Sequence, residues 1–209
     1  MLVRMTTSNA VRDPLIDHLL TSENAALVVI DYRPTQLAAV TSMDRALLVD
    51  NVVSVARLAK AFELPVVLST VNVANGQEPT LPELKTALSA SAEIDRTQMN
   101  AWEDAAFRNA VEETGRQKLI MTALWTEICL AFPSLDAMRE GFEIYPVVDA
   151  VGGTSPDAHR AGLERIVQAG AQPVSWVSLA GELQRDWARA DTVGDVVDIV
   201  VTTRLLATT

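Results

Sequence analysis

Five short apolar stretches, rich in β-branched residues and separated by longer segments of helical period, constrain this chain more than any other feature. They fall at residues 25–31 (AALVVID), 64–71 (LPVVLSTV), 118–124 (KLIMTAL), 143–148 (EIYPVV) and 172–177 (QPVSWV). Each is apolar on both faces, the pattern of parallel strands that helices cover on either side. Pro146 removes a ladder donor, so the fourth strand bends or lies near an edge. Amphipathic segments at 43–62, 102–114, 127–140, 156–169 and 179–190 predict helices between and after the strands. Gly115, Gly141 and Gly170 follow three of these, where a left-handed residue closes a helix. Ser155 precedes Pro156 as a capping hydroxyl before a first-turn proline. Strand–helix alternation with right-handed crossovers predicts a three-layer α/β/α sandwich around a parallel sheet.

No linker divides residues 25–190, which read as one domain. Residues 1–24 read as an N-terminal extension with room for one short helix. Within the C-terminal segment 191–209, residues 195–206 (DVVDIVVTTRLL) are too apolar for a free tail and predict packing on the domain or against another subunit.

Composition narrows the partners. The chain has 209 residues and a formal charge of −10, and such a surface repels phosphate backbones and anionic lipid, so neither nucleic acid nor membrane is expected. A single cysteine, Cys129, forms no internal disulfide and fits a reducing compartment, the cytoplasm. The opening segment is broken by Arg12, Asp13 and Asp17 and lacks the apolar stretch of a secretory signal. Neither G-x-G-x-x-G, a Walker loop nor G-x-S-x-G occurs. His18 and His159, the two histidines, do not form a ligand-spaced pair. His159, early in a helical segment, reads as a surface or interface residue. No metal and no cofactor are expected.

Ligands of open α/β sheets sit beyond the carboxyl ends of the strands. Asp31 closes the first strand, and Cys129 follows the third through LWTEIC, in the first turn of the next helix. Each also has a plain structural reading: a buried cysteine is a small hydrophobe, and an aspartate after a strand caps a turn. In the functional reading the helix N-terminus lowers the thiol pKa and favours thiolate. A carboxylate takes the proton and a cation holds the charge. Arg96, from the extended EIDR segment, is the preferred cation, with Lys85 of LPELK its rival.

The order Asp31, Arg96, then T-E-x-C resembles the isochorismatase-like cysteine hydrolase superfamily, and within it the YcaC-type branch. The resemblance runs through VVIDYRP (28–34), MNAWED (99–104), TALWTEICLAFPSLDAMREGFEIYPVVDA (122–150) and QAGAQPVSWVSLAGELQRDW (168–187). It implies a Rossmann-like six-stranded parallel sheet and a catalytic triad of Asp31 as acid/base, Arg96 as cation and Cys129 as nucleophile. It implies a non-proline cis peptide at Leu124–Trp125, and an oxyanion hole from the Trp125 and Cys129 amides. Arg96 stands where most of the superfamily has lysine, Thr97-Gln98 replaces the usual Pro-Gly, and Trp125 replaces a small residue. Asn72, Asn100, Trp102 and Trp125 are candidates to line the pocket, with capping and core packing as their structural alternatives. Glu127 is given a structural role. The activity implied is hydrolysis of an amide or related C–N bond of a small molecule by a homo-oligomer. Vinyl-ether hydrolysis, a catalytically silent binding or scaffold protein, and a thiol redox sensor are the alternatives.

Overall fold

The computed structural model describes residues 12–88 and 92–205. Five parallel strands, β1 (Ala25–Ile30), β2 (Val66–Val71), β3 (Glu93–Arg96), β4 (Lys118–Ala123) and β5 (Glu143–Pro146), form one sheet in the order β3-β2-β1-β4-β5. The central strand shows why the fold closes. Ala25, Leu27 and Val29 enter one core cluster, and Ala26, Val28 and Ile30 enter the other. A strand whose successive side chains both meet hydrocarbon requires a helical layer on each face.

Helices α1 (Pro34–Ala38), α2 (Arg45–Ala61) and α3 (Pro82–Ala87) follow β1 and β2. Helices α4 (Ala105–Glu113), α5 (Ala131–Arg139), α6 (Pro156–Gln168), α7 (Trp176–Gln184) and α8 (Ala190–Leu205) complete the description. Leu48 and Val52 of α2, Leu84 of α3, Leu179 of α7 and Val196 of α8 fill the first cluster. Phe107 of α4, Ala137 of α5 and Ile166 of α6 fill the second. Asp44 caps α2 and Ser155 caps α6, each side chain accepting from a backbone N–H of the first turn.

The sheet has five strands where six are expected. Residues 172–177 contribute only an isolated parallel bridge, Val174 to Val147. Pro173 cannot donate to a ladder, and Ser175 forms a capping box that starts α7 at Trp176. The strand therefore ends where the helix begins, and α7 starts three residues earlier than the sequence periodicity predicts. Residues 12–24 contain turns and no helix. The Lys118 ammonium holds them by donating to the carbonyls of Asp17, His18 and Leu19 at 2.6, 2.9 and 3.3 Å. The apolar C-terminal segment lies in α8, which packs on α2 and α7 through Val196 and Ile199. Residues 1–11, 89–91 and 206–209 lie outside the described residues. No helix among the described residues is long and apolar enough to cross a membrane.

Candidate active site

Three strand ends converge at the carboxyl edge of the sheet. Asp31 is the first residue past β1 and has φ +62°. A non-glycine residue in the left-handed region costs on the order of 1 kcal/mol or more and persists only where the surroundings impose it. Its N–H is held by the Ser69 carbonyl at 3.0 Å, so β2 fixes the turn. Arg96 is the last residue of β3, one strand further out. Its Nη2 donates to Asp31 Oδ2 at 2.6 Å, and both side chains are fully buried. Arg96 Nη1 donates to the Gln98 backbone carbonyl at 2.6 Å, so the turn after β3 helps orient the guanidinium.

β4 leads through a cis Leu124–Trp125 peptide into a π-helical turn, Thr126–Leu130, that carries Cys129. The wide turn is visible in the Leu130 N–H reaching back five residues to the Trp125 carbonyl at 3.2 Å. Cys129 faces the Asp31 carboxylate and interacts with it, and the Trp125 N–H is directed at the sulfur. Asp31 Oδ1 is buried without a well-formed hydrogen bond, so one carboxylate oxygen is committed to Arg96 and the other is left for the thiol.

The expectation of a resting thiolate is corrected here. Cys129 is 8% exposed, and burial, followed by the neighbouring Asp31 charge, pushes its thiol pKa well above the ordinary value; Arg96 and the Trp125 amide oppose the rise. The segment is a π-turn seated in hydrocarbon rather than the open first turn of an α-helix, so desolvation outweighs the local dipoles. Burial also lifts the Asp31 carboxyl above the usual carboxylate range, against the pull of Arg96 and Cys129. A more basic carboxylate is a better acceptor for a reluctant thiol proton.

The remaining candidates separate. Lys85 pairs with Glu93 at 2.9 Å, at the opposite end of β3 from Arg96, and stands on the surface. Asn72 has φ +64°, and its side-chain oxygen accepts from Asn75 at 2.7 Å, making it a turn residue after β2. Asn100 accepts from the Trp102 N–H at 3.1 Å and donates to Asp136 at 2.7 Å, tying the 100–103 turn to α5. Trp102 packs edge-on to Phe107 and Phe142 in the core cluster that also holds Cys129. The Trp125 indole donates to the Gln36 carbonyl at 2.8 Å and packs against the α2 side of the core. It is pinned to α1.

Glu127 accepts from the Thr154 N–H and hydroxyl at 3.1 and 2.6 Å, anchoring the π-turn to the loop after β5. His159 is partly buried, with its Nδ1 2.8 Å from the Thr126 hydroxyl; burial lowers its pKa and Glu127 opposes that. It braces the π-turn rather than standing on the surface. Sequence reading passed over Arg33, a second guanidinium buried at the same sheet edge. The signal was present in DYRP, two positions after the carboxylate. Among the described residues no group of three His, Cys, Asp or Glu side chains is placed to hold a metal ion.

Residues 25–178 match the model of the isochorismatase domain. The chain is 36% identical over 169 residues to the probable hydrolase YcaC of Escherichia coli K12, covering 80% of this chain and 81% of that protein. The structure of YcaC from Pseudomonas aeruginosa, solved with hexane-2,5-diol and covalent acrylamide, superposes with a TM-score of 0.85 at 33% identity, over 91% of this chain and 93% of that one. The E. coli YcaC structure, described as an octameric hydrolase of unknown specificity, gives 0.83 at 33% identity, over 92% and 96%. A central parallel sheet with Asp31, Arg96 and Cys129 at its carboxyl edge, and likeness over nearly the whole length, lead to one assignment: the chain belongs to the isochorismatase-like hydrolase family, in its YcaC-type group.

Proposed function

We propose that the protein is a cysteine hydrolase of small molecules that cleaves an amide or related C–N bond through a thioester intermediate. One observation carries the reading: a buried carboxylate, Asp31, has one oxygen fixed by Arg96 at 2.6 Å and the other unpartnered beside the Cys129 thiol. Asp31 accepts the thiol proton as the sulfur attacks the carbonyl carbon. The C=O π pair moves onto oxygen, and the Trp125 and Cys129 amides receive the oxyanion. Asp31 returns its proton to the leaving nitrogen as the C–N bond breaks. Water, activated by the same carboxylate, then hydrolyses the thioester, releasing the acid and restoring the thiol. Proton transfer and each oxyanion donor contribute about 10²–10³-fold in such chemistry. Arg96 stays protonated throughout and acts by charge, not as a proton shuttle. The lone cysteine supports a reducing compartment, the cytoplasm, and the octameric E. coli relative supports a homo-oligomer.

A screen of small amides, imides and carbamates against wild type and Cys129→Ala tests the scheme. Turnover by wild type that falls at least 10³-fold in Cys129→Ala is the expected result; turnover that survives the substitution overturns the covalent mechanism. The raised thiol pKa favours a second reading, a catalytically silent binding protein. Alkylation by iodoacetamide decides between them. Stoichiometric labelling of Cys129 in the native protein supports the enzyme, and an inert thiol supports the binding protein.

A further inference from the structure

Arg33 is two residues beyond Asp31 and only 5% exposed. Its Nη1 donates to the Val71 carbonyl at 3.0 Å and to the Gln77 side-chain carbonyl at 3.2 Å, both neutral acceptors. Its Nε is buried without a hydrogen-bond partner, and among the described residues Nη2 makes no hydrogen bond. Among the described residues no ion pair includes Arg33. The contrast with Arg96 is direct, since that guanidinium is neutralised by Asp31 at 2.6 Å. Asp95, the other carboxylate that feels the charge of Arg33, spends its oxygens on the Val73 and Ala74 amides at 2.9 and 2.8 Å.

A guanidinium does not shed its proton, and a buried charge is ordinarily paired. Arg33 is therefore a buried cation outside any direct ion pair among the described residues, its charge felt only at longer range by Asp31 and Asp95. Val71 ends β2, and the next residue, Asn72, donates to the Arg96 carbonyl at 2.7 Å. Arg33 thus sits at the carboxyl edge that bears the Asp31–Arg96 pair, and Asp31 feels its charge. The unoccupied Nε–Nη2 edge presents two parallel donors, the fork that suits a carboxylate. We propose that Arg33 is the anion-binding residue of the candidate site, holding a carboxylate carried by the substrate. A protein of net charge −10 disfavours dianions, so a single guanidinium selects a small monocarboxylate that also bears the scissile bond.

The inference borrows from the hydrolase reading only the identity of the anion as substrate, and its test needs no turnover. N-acetylglycine and the neutral N-acetylglycinamide differ by that one group. Each is titrated into wild type with binding followed by ligand-observed NMR, and with protection of Cys129 from acrylamide as a second readout. N-acetylglycine binds at least about tenfold more tightly than its amide and protects Cys129. Arg33→Gln removes the preference and leaves the affinity for the amide within about twofold, while Arg33→Lys retains part of it. Equal binding of acid and amide by wild type, or a preference that survives in Arg33→Gln, overturns the proposal. A folded Arg33→Lys protein that keeps part of the preference separates lost charge from lost structure if Arg33→Gln does not fold. Should Cys129 resist acrylamide altogether, the hydrolase reading falls, and the NMR titration still decides Arg33.

Discussion

At Cys129 two influences oppose each other, and their balance sets the chemistry. The amide of Trp125 and the charge of Arg96 favour thiolate, while burial and the Asp31 charge favour thiol, and the latter pair wins. The free cysteine titrates near 8.5. The folded thiol titrates higher, so between these values the unfolded chain has lost a proton that the native protein keeps. Stability then falls as pH rises through that window, by up to about 1.4 kcal/mol per pH unit. Denaturant melts of wild type and Cys129→Ala should coincide within about 1 kcal/mol at pH 7 and diverge from about pH 8.5 upward, with wild type losing more. Parallel curves to pH 10 would mean that the thiol is not desolvated as the geometry implies. Asp31, Arg96 and Cys129 were legible in the sequence because strand ends and a helix start are readable positions. The protonation of the thiol was not, because burial depends on what packs over residue 129 from distant parts of the chain.

Among the elements, the π-turn is closely packed against α6. A Cβ at Gly162 of α6 would lie 2.9 Å from Glu127 Cα and 3.0 Å from Glu127 N, so backbone meets backbone there. No flexible side chain is available to give way. Gly162→Ala must push α6 off the turn that carries Cys129, and overpacking of this kind costs about 1–3 kcal/mol. Thermal unfolding should drop accordingly, and acrylamide labelling of Cys129 should change rate; Gly181→Ala in α7, where a Cβ meets nothing within 4 Å, is the control. Gly162 gave no sequence signal beyond a helix-interior glycine, since its constraint is a crossing between α6 and a turn more than thirty positions away. The sheet edge was misread for a local reason. Pro173 and the Ser175 cap stop a strand that apolar composition alone predicts.

On the whole molecule, three large apolar side chains face outward in one region. Leu15 is 59% exposed, Ile16 82% and Trp187 75%. The Asp17–Arg185 ion pair at 3.2 Å brings their two segments side by side. Large apolar side chains exposed on adjoining segments are candidates for an interaction site. Sedimentation or light scattering should give a mass that is a multiple of the 22.6 kDa chain, and the pair Ile16→Asp, Trp187→Asp should lower it. A monomeric wild type, or an assembly indifferent to both substitutions, assigns the patch elsewhere. The C-terminal helix is a second surface: its Val196 and Ile199 pack on the domain, while Val197 and Val201 face outward.

What the amino-acid order determined by itself is whatever depends on near neighbours: apolar strands, capped helices, a carboxylate closing β1, a cysteine shortly after β4. These follow from backbone geometry and side-chain period, which act over a few residues. Tertiary structure decided the rest. Parallel strands place residues 31, 96 and 129 at one edge although they are far apart in the chain, and register brings Arg96 to the carboxylate while Lys85 faces away. Desolvation and the neutralisation of charge are properties of the packed interior. That is why the protonated thiol of Cys129 and the buried guanidinium of Arg33 emerge only once the chain is folded.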